Sequence, residues 1–386
     1  MPASRYTGAF PVVAVDAMTG YPLTGKDGDE RVSTETQLKR GFRSLRQKSS
    51  EKHFDSLITQ KGTESILAIV HLDGNNLSMR IRRLMEDEKL QGASYEACVE
   101  RMRQISANIR EKFQATYAAM ERYLMDWVRS DANQVLDKRG NPRYLRKIIV
   151  AGDDVTFVCN AQVALSLVEF FVKDISGKTM FGEETGENLK EYGFSVCAGI
   201  TYINSHFPFS TGYQVAEACC ENAKHRAKTA EHMGSNDRVG SWVDFQICRN
   251  VQAGDLDLHR EKNYVTGDGR RLLRRPYYIS SGLPGEEMDE KNQAYDMGKF
   301  RRELHYFADG RKFPRSQVKE LRNTYPYGVK EMDRLVVFLR SRGRRLPDGT
   351  DEAFDADGTA KWYDALEIMD YDTDMREGDG QDADQD

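Results

Sequence analysis

No window of this sequence approaches the roughly 18 consecutive apolar residues that a membrane-crossing helix needs. The opening MPASRYTGAFPVVAVDAMTG also has no basic segment followed by a sufficient apolar run, the mark of an export signal. These absences lead to the expectation of a soluble, cytoplasmic protein without a membrane partner. Cysteine is sparse: Cys98, Cys159, Cys197, Cys219, Cys220 and Cys248 are scattered, four of them inside apolar stretches. That spacing suggests neither a disulfide framework nor a zinc cluster. No internal repeat is visible, and the segments HLDGNN and AGDD each occur once.

What acidity there is lies at one end. The chain carries a formal charge of −5, but residues 351–386 hold fourteen Asp or Glu against Lys361 and Arg376, a local −12 that leaves +7 for the rest. A mildly basic body suits a phosphate-bearing ligand without demonstrating one; nucleic acid as a partner is left open.

The 386 residues are enough for two to three units. Residues 1–62 read as an N-terminal appendage: a strand-like FPVVAV, a Gly-rich turn TGYPLTGKDGDE and a basic helix-like STETQLKRGFRSLRQKSS. From residue 63 the pattern changes. SILAIVHL is a continuous β-branched run of the kind buried on both faces of a sheet. A helical pattern through Leu77, Ile81, Leu84 and Met85 follows, then a long one from Tyr95 to Trp127. Its stripe is Cys98, Met102, Ile105, Ile109, Phe113, Tyr117, Met120 and Leu124. KIIVAGDDVTFVC predicts two strands meeting at a tight turn on Gly152 and Asp153, Asn160 is placed to cap the next helix, and FSVCAGITYI is a fourth strand. The helix from about Tyr213 to Ala230 opens on a Thr211-x-x-Gln214 capping-box pattern.

The order β, α, α, β, β, α, β, α implies an α+β fold, a ferredoxin-like palm with an antiparallel sheet and flanking helices. The predicted units are therefore the appendage at 1–62, the palm at 63–245, a small helical C-terminal region at 246–350 and a partly disordered acidic tail at 351–386. The last fifteen residues, DTDMREGDGQDADQD, offer almost nothing to bury.

The chemistry is concentrated at two places: Asp73 at the end of a buried strand, and Asp153 and Asp154 at a hairpin turn. If the hairpin pairs beside that strand, the three carboxylates approach one point. Clustered carboxylates call for a cation, and hard oxygen ligands suit Mg²⁺ or Mn²⁺. Two such ions could activate a ribose hydroxyl and neutralise a triphosphate without a Ser or His nucleophile. Taken singly, a strand-end Asp is also a common cap and Gly-Asp-Asp a common turn; the joint order favours catalysis. Gly74 and Gly152 would let backbone approach phosphate. Lys224 and Lys228, four apart, share a helix face and suit either a phosphate grip or a solvated basic face. Asn75 and Asn76 suit either a base or ribose contact or a left-handed turn. His206, in SHFPF, reads as a loop residue rather than a catalyst.

Together AIVHLDGNNLS, KIIVAGDDVTFVC, SVCAGITYINSHFPFSTGYQVAEACCENAKHRAK and LLRRPYYI resemble the palm of the polymerase-like large subunit of type III CRISPR effector complexes, itself related to GGDEF diguanylate cyclases and class III nucleotide cyclases. The resemblance covers about residues 63–280, and the size is similar to that of stand-alone minimal CRISPR polymerases. It implies a cyclic oligonucleotide synthase in antiviral defence that takes nucleoside triphosphate, ATP favoured. It also implies two Mg²⁺ or Mn²⁺ ions on Asp73, Asp153, Asp154 and the Leu72 backbone, with Lys224 and Lys228 on phosphate. AGDD stands where that family has GGDD, and TGYPLTG is similar to a zinc-ribbon segment but has no cysteine around it, so no zinc is expected. With a single acid set, the working unit is expected to be a homo-oligomer, most simply a dimer. The alternatives are a mononucleotide or diguanylate cyclase, and a palm that binds nucleotide without catalysis.

Overall fold

The computed structural model describes residues 14–16, 19–38, 54–57, 66–90, 92–130, 144–229, 239–248, 256–280, 290–373 and 375. The chain forms two compact units, Met1–Ser56 and Leu57–Asp386. In the first, β1 (Gly25–Asp27) pairs antiparallel with β2 (Glu30–Val32). Gly28, at φ +63°, makes the turn between them, because only glycine enters that region without strain. The Asp16 carboxylate accepts from the Ser33 amide at 2.8 Å. Most of FPVVAV and most of the basic helix-like stretch lie outside the described residues.

The second unit is an α+β fold built on a mixed six-stranded sheet ordered β4-β5-β3-β6-β7-β8. Its elements in the first half are β3 (Ile66–Gly74), α1 (Leu77–Leu90), α2 (Tyr95–Ser130), β4 (Leu145–Ala151), β5 (Asp154–Asn160), α3 (Ala164–Ser176), α4 (Gly186–Tyr192) and β6 (Val196–Asn204). β3 lies antiparallel between β5 and β6, and β4 pairs antiparallel with β5. That is the ferredoxin-like β-α-β-β-α-β arrangement. β6 then feeds α5 (Phe209–Thr229), which leads to β7 (Ser241–Cys248) parallel to β6, with β8 (Tyr277–Ser280) antiparallel at the far edge.

The continuous apolar run of β3 has its reason in two covered faces. Ala68, Val70 and Leu72 belong to the core shared with Phe113 and Tyr117 of α2 and with Val168 and Phe171 of α3, while α5 packs on the other face, against β3, β6 and β7. Gly199 makes the second contact possible. A Cβ there would lie 1.9 Å from the Ala216 carbonyl oxygen and 2.4 Å from the Cys220 amide nitrogen, so helix backbone rests directly on strand.

Several expectations are corrected. On α2 Met102 is exposed, and the buried stripe continues instead to Val128. Asn160 caps as expected, accepting from the Gln162 amide at 3.0 Å, but the first turn it caps is 3₁₀ and leads into α3. α5 begins at Phe209, so Thr211 and Gln214 lie within it rather than at its start. β7 and β8 replace part of the predicted helical region. β7 is wholly buried, yet it carries Ser241, Asp244 and Gln246, which interrupt the apolar pattern by which a strand is recognised.

Those polar groups are satisfied by neighbours that the sequence does not bring close. Asp244 accepts from Arg260 Nη1 at 2.8 Å and from Asn222 at 2.7 Å, and Gln246 accepts from Arg260 Nε at 3.1 Å. Arg260 comes from α6 (Leu256–Asn263). The helical layer beyond β8 comprises α7 (Met297–Ala308), α8 (Arg315–Thr324), α9 (Val329–Ser341) and α10 (Tyr363–Ile368). Residues 351–373, acidic in sequence, pack as part of this layer: Trp362 and Ala365 are buried, and Asp364 and Glu367 accept from the buried Arg275 at 3.2 and 2.7 Å. Arg301 of α7 bridges Glu169 of α3 and Asp372 at 2.5 Å each, and Met375 is buried, so the last fifteen residues do contribute to packing. The rest of the acidic tail falls outside the described residues.

Candidate functional site

The site is assembled at the end of the sheet where β3 finishes. Alternation along β3 sends His71 and Asp73 to the face carrying α5 and Leu72 to the opposite core; the Leu72 side chain is fully buried, and its backbone runs level with Val155 and Ala198. Ala151 and Asp154 are paired across the β4–β5 hairpin, which leaves Gly152 and Asp153 as a two-residue loop. Gly152, at φ +64°, occupies the first loop position, where a primed turn demands a positive φ.

Gly74 determines how close this hairpin comes. A Cβ at that position would lie 2.9 Å from Asp153 Oδ2 and 3.1 Å from Asp153 Cβ. The missing side chain is therefore the space in which the Asp153 carboxylate sits beside the strand end. Burial pushes the Asp153 carboxyl above its ordinary value, and the charges of Asp73 and Asp154 push in the same direction against Lys224 and a backbone hydrogen bond.

Lys224, on α5, reaches across the face and donates to Asp73 Oδ2 at 2.7 Å, with Glu221 Oε1 at 3.4 Å. Burial disfavours its charge, but the hydrogen bond and charge of Asp73 outweigh that and hold the ammonium above its usual range. Lys228 is exposed one turn further along. Asp154, the first residue of β5, turns towards His71, whose Nδ1 lies 3.5 Å from Asp154 Oδ1 and 3.1 Å from Thr156 Oγ1. The His71 ring is met edge-on by Tyr213 at 5.6 Å.

The structure thus brings Asp73, Asp153, Gly74 and Lys224 together, with Asp154 in electrostatic reach of Asp153 and beside His71. Among the described residues no group of three or more His, Cys, Asp or Glu gathers in a form that could hold a metal ion. Two carboxylates within electrostatic reach of each other, one of them in a space kept open by glycine, do have the donor chemistry for a hard divalent cation. Asp154 lies within electrostatic reach of Asp153 as well, and its carboxylate has further neighbours in His71 and Thr156, each at 3.5 Å.

Asn75 and Asn76 hold the chain at the strand exit. The Asn75 amide donates to Ser195 Oγ and to the Gly240 carbonyl, both at 3.3 Å, and its backbone N–H to the Ser195 carbonyl at 2.9 Å. Asn76 is left-handed at φ +53° and its carbonyl accepts from the Arg80 amide at 3.1 Å. His206 sits in the loop after β6, exposed. Since Ile66 pairs with Asn204 and Gly74 with Val196, that loop is at the far end of the sheet from Asp73. His71, Thr156 and Tyr213 were not singled out in the sequence. The signal for His71 was its parity, two residues before Asp73 on one strand and hence on the same face.

No family model matches the sequence, and no curated protein matches it. Among solved structures it is similar to a Csm1–Csm4 cassette in complex with AMPPNP, at 14% identity over 82% of this chain and 37% of that one, TM-score 0.41. The same cassette in complex with cA4 gives 14% identity over 79% and 36%, TM-score 0.39. Csm1 in T. onnurineus gives 16% identity over 82% and 38%, TM-score 0.27. The chain spans little more than a third of the length of these structures.

Proposed function

We propose that this chain is a metal-dependent nucleotidyltransferase that condenses ATP, or another nucleoside triphosphate, into a cyclic oligonucleotide messenger serving antiviral defence. The observation that carries the reading is the Asp153 carboxylate seated against Gly74 at the end of β3, in electrostatic reach of Asp73, with Lys224 bonded to Asp73 from α5. In the reaction a ribose hydroxyl attacks the α-phosphorus of a triphosphate, the bond to the β-phosphate oxygen breaks, and pyrophosphate leaves. Asp73, Asp153 and the Leu72 carbonyl, joined by Asp154, would hold Mg²⁺ or Mn²⁺, which supplies activation of the hydroxyl and neutralisation of the phosphates. Lys224 provides a cation that a triphosphate can recruit from Asp73, a charge-assisted contact. Asn75 and Asn76 fix the backbone that presents Asp73, and Gly74 and Gly152 keep the approach to the carboxylates free of side chains.

Joining two nucleotides requires a donor and an acceptor in register. A symmetric pair of these chains would face two such sites together, so the working unit is proposed to be a homodimer.

The test is incubation of the purified chain with each labelled triphosphate plus Mg²⁺ or Mn²⁺, with products resolved by mass. A cyclic product from ATP that disappears in Asp73→Ala and Asp153→Ala supports the reading; a mononucleotide product moves the chain to the cyclases. Turnover undiminished in either variant, or none with any triphosphate while nucleotide still binds, defeats it. Specific activity that ignores protein concentration, and is untouched by excess Asp153→Ala protein, defeats the dimer alone.

A further inference from the structure

The cations of the helical layer are unevenly placed. Residues 311–345 contain eleven Lys or Arg against Glu320, Glu331 and Asp333, a net +8 in a chain whose total is −5. Tertiary contacts concentrate this charge further. Arg344 donates from Nη1 to the Lys312 carbonyl at 3.1 Å and the Arg311 carbonyl at 3.4 Å, and the Tyr306 hydroxyl donates to the Arg345 carbonyl at 2.6 Å. Four cations from two loops, one after α7 and one after α9, are thereby fastened at one corner.

α9 leads into that corner. It buries Met332, Leu335, Val336 and Leu339 and presents Lys330, Arg334 and Phe338 outward at spacings of four, with Arg342 next in the row. Steps of four residues put these side chains about 6 Å apart along one ridge. Phe338 is 44% exposed and its neighbour Val337 69%, and the Arg342 guanidinium lies 4.8 Å from the Phe338 ring centroid. Arg311, Arg334 and Arg340 have carboxylates in Asp309, Glu331 and Asp351. Among the described residues Lys312, Lys330, Arg342, Arg344 and Arg345 have no carboxylate within 4.0 Å. A helix C-terminus welcomes a cation or two, which accounts for Arg340 or Arg342 but not for the loop at 311–312. Phe338 and Val337 stand exposed amid these cations.

We propose that this corner, Arg311, Lys312, Arg342, Arg344 and Arg345 with the α9 ridge, binds the backbone of a single-stranded nucleic acid and that Phe338 stacks on one of its bases. Clustered cations release the counterions of a phosphate chain, and an exposed aromatic among them offers a stacking surface that unpaired bases can use and a closed duplex cannot. The inference stands apart from the carboxylate site and survives or fails independently of it.

Fluorescence anisotropy of the full chain with labelled oligouridylate, oligodeoxythymidylate and a duplex, between about 50 and 200 mM salt, tests it. Binding of either single strand is expected to exceed that of the duplex and to fall with salt. Arg342→Glu with Arg345→Glu is expected to weaken binding at least about tenfold and to flatten the salt slope by about 1.4, two phosphate contacts' worth. Phe338→Ala is expected to cost about fivefold or more at unchanged slope. Thermal melting confirms the variants are folded, and Arg342→Gln with Arg345→Gln replaces the reversal should it not fold. Equal affinity of wild type and folded charge variants overturns the proposal. So does heparin or polyphosphate binding as well as the oligonucleotides with no loss in Phe338→Ala, which would make the corner a general anion surface.

Discussion

At the scale of single residues the candidate site depends as much on an absent side chain as on those present. Gly74→Ala would place a methyl 2.9 Å from Asp153 Oδ2 and 2.6 Å from Leu77 Cδ1. Asp153 must then move, so the substitution is expected to abolish triphosphate turnover while lowering the melting temperature by a few degrees, about 1 kcal/mol. Asp153 itself carries a linked cost. Burial raises its carboxyl above 3.8, so the folded state holds a proton more tightly than the unfolded one, and this group's contribution to stability declines as pH rises from about 3.8 through the raised value. Asp153→Asn removes the titration. The variant is expected to be inactive yet to melt higher than wild type at neutral pH, with the difference closing below about pH 3.8, where the carboxyl is protonated in both states. Melting curves from pH 3 to 8 decide this; a variant less stable than wild type at pH 7 would show that the carboxylate's hydrogen bonds outweigh its desolvation. His71 escaped notice in the sequence because its value lies in partners 85 and 142 positions away, Thr156 and Tyr213.

At the scale of elements, α5 places Lys224 and is held to the sheet by Gly199. A methyl at Gly199 would meet helix backbone at 1.9 Å, and backbone cannot swing aside as a side chain can. Gly199→Ala is therefore expected to destabilise the fold by about 1–3 kcal/mol or more and to weaken triphosphate binding as well, because lifting α5 withdraws Lys224 from Asp73. Denaturant unfolding and a binding titration measure the two effects. Unchanged triphosphate affinity in a folded Gly199→Ala protein would separate Lys224 from the nucleotide. The strands carrying the acids were legible in sequence since β3 and β5 are apolar runs with turn residues at their ends. β7 was not, because a buried Asp244 reads as surface until Arg260 and Asn222 are known to face it.

Across the whole molecule the second unit is tied together by buried ion pairs rather than by apolar contact alone. Arg275 is fully buried between Asp364 and Glu367, so the segment past residue 350 completes a charge balance begun beside the sheet. Leaving a buried charge without its partner costs about 3–5 kcal/mol. Ending the chain at Thr350 leaves Arg275, among its described carboxylate neighbours, only Asp244, 3.9 Å away, and also removes the buried Trp362; it is expected to yield protein that does not fold cooperatively. Asp364→Ala, by contrast, leaves Arg275 its Glu367 but takes the acceptor from the Arg274 and Arg275 amides and the Tyr277 hydroxyl, and should lower the unfolding free energy by about 1–3 kcal/mol. Equilibrium denaturation measures both, and a cooperative, stable chain ending at Thr350 would show that the layer is dispensable. What the sequence by itself determined is local: the apolar runs of β3, β5 and β6, the long stripe of α2, the glycine turn at Gly152, and the identity and order of Asp73, Asp153, Asp154 and Lys224. These follow from periodicity and turn chemistry, which act over a few residues. Only the tertiary structure decided that Asp153 sits against Gly74 while Asp154 turns to His71, that Lys224 meets Asp73 from 151 positions away, and that an acidic stretch belongs to the core. Each of those depends on which distant charge, donor or empty volume a side chain finds across the fold, and no spacing along the chain encodes that.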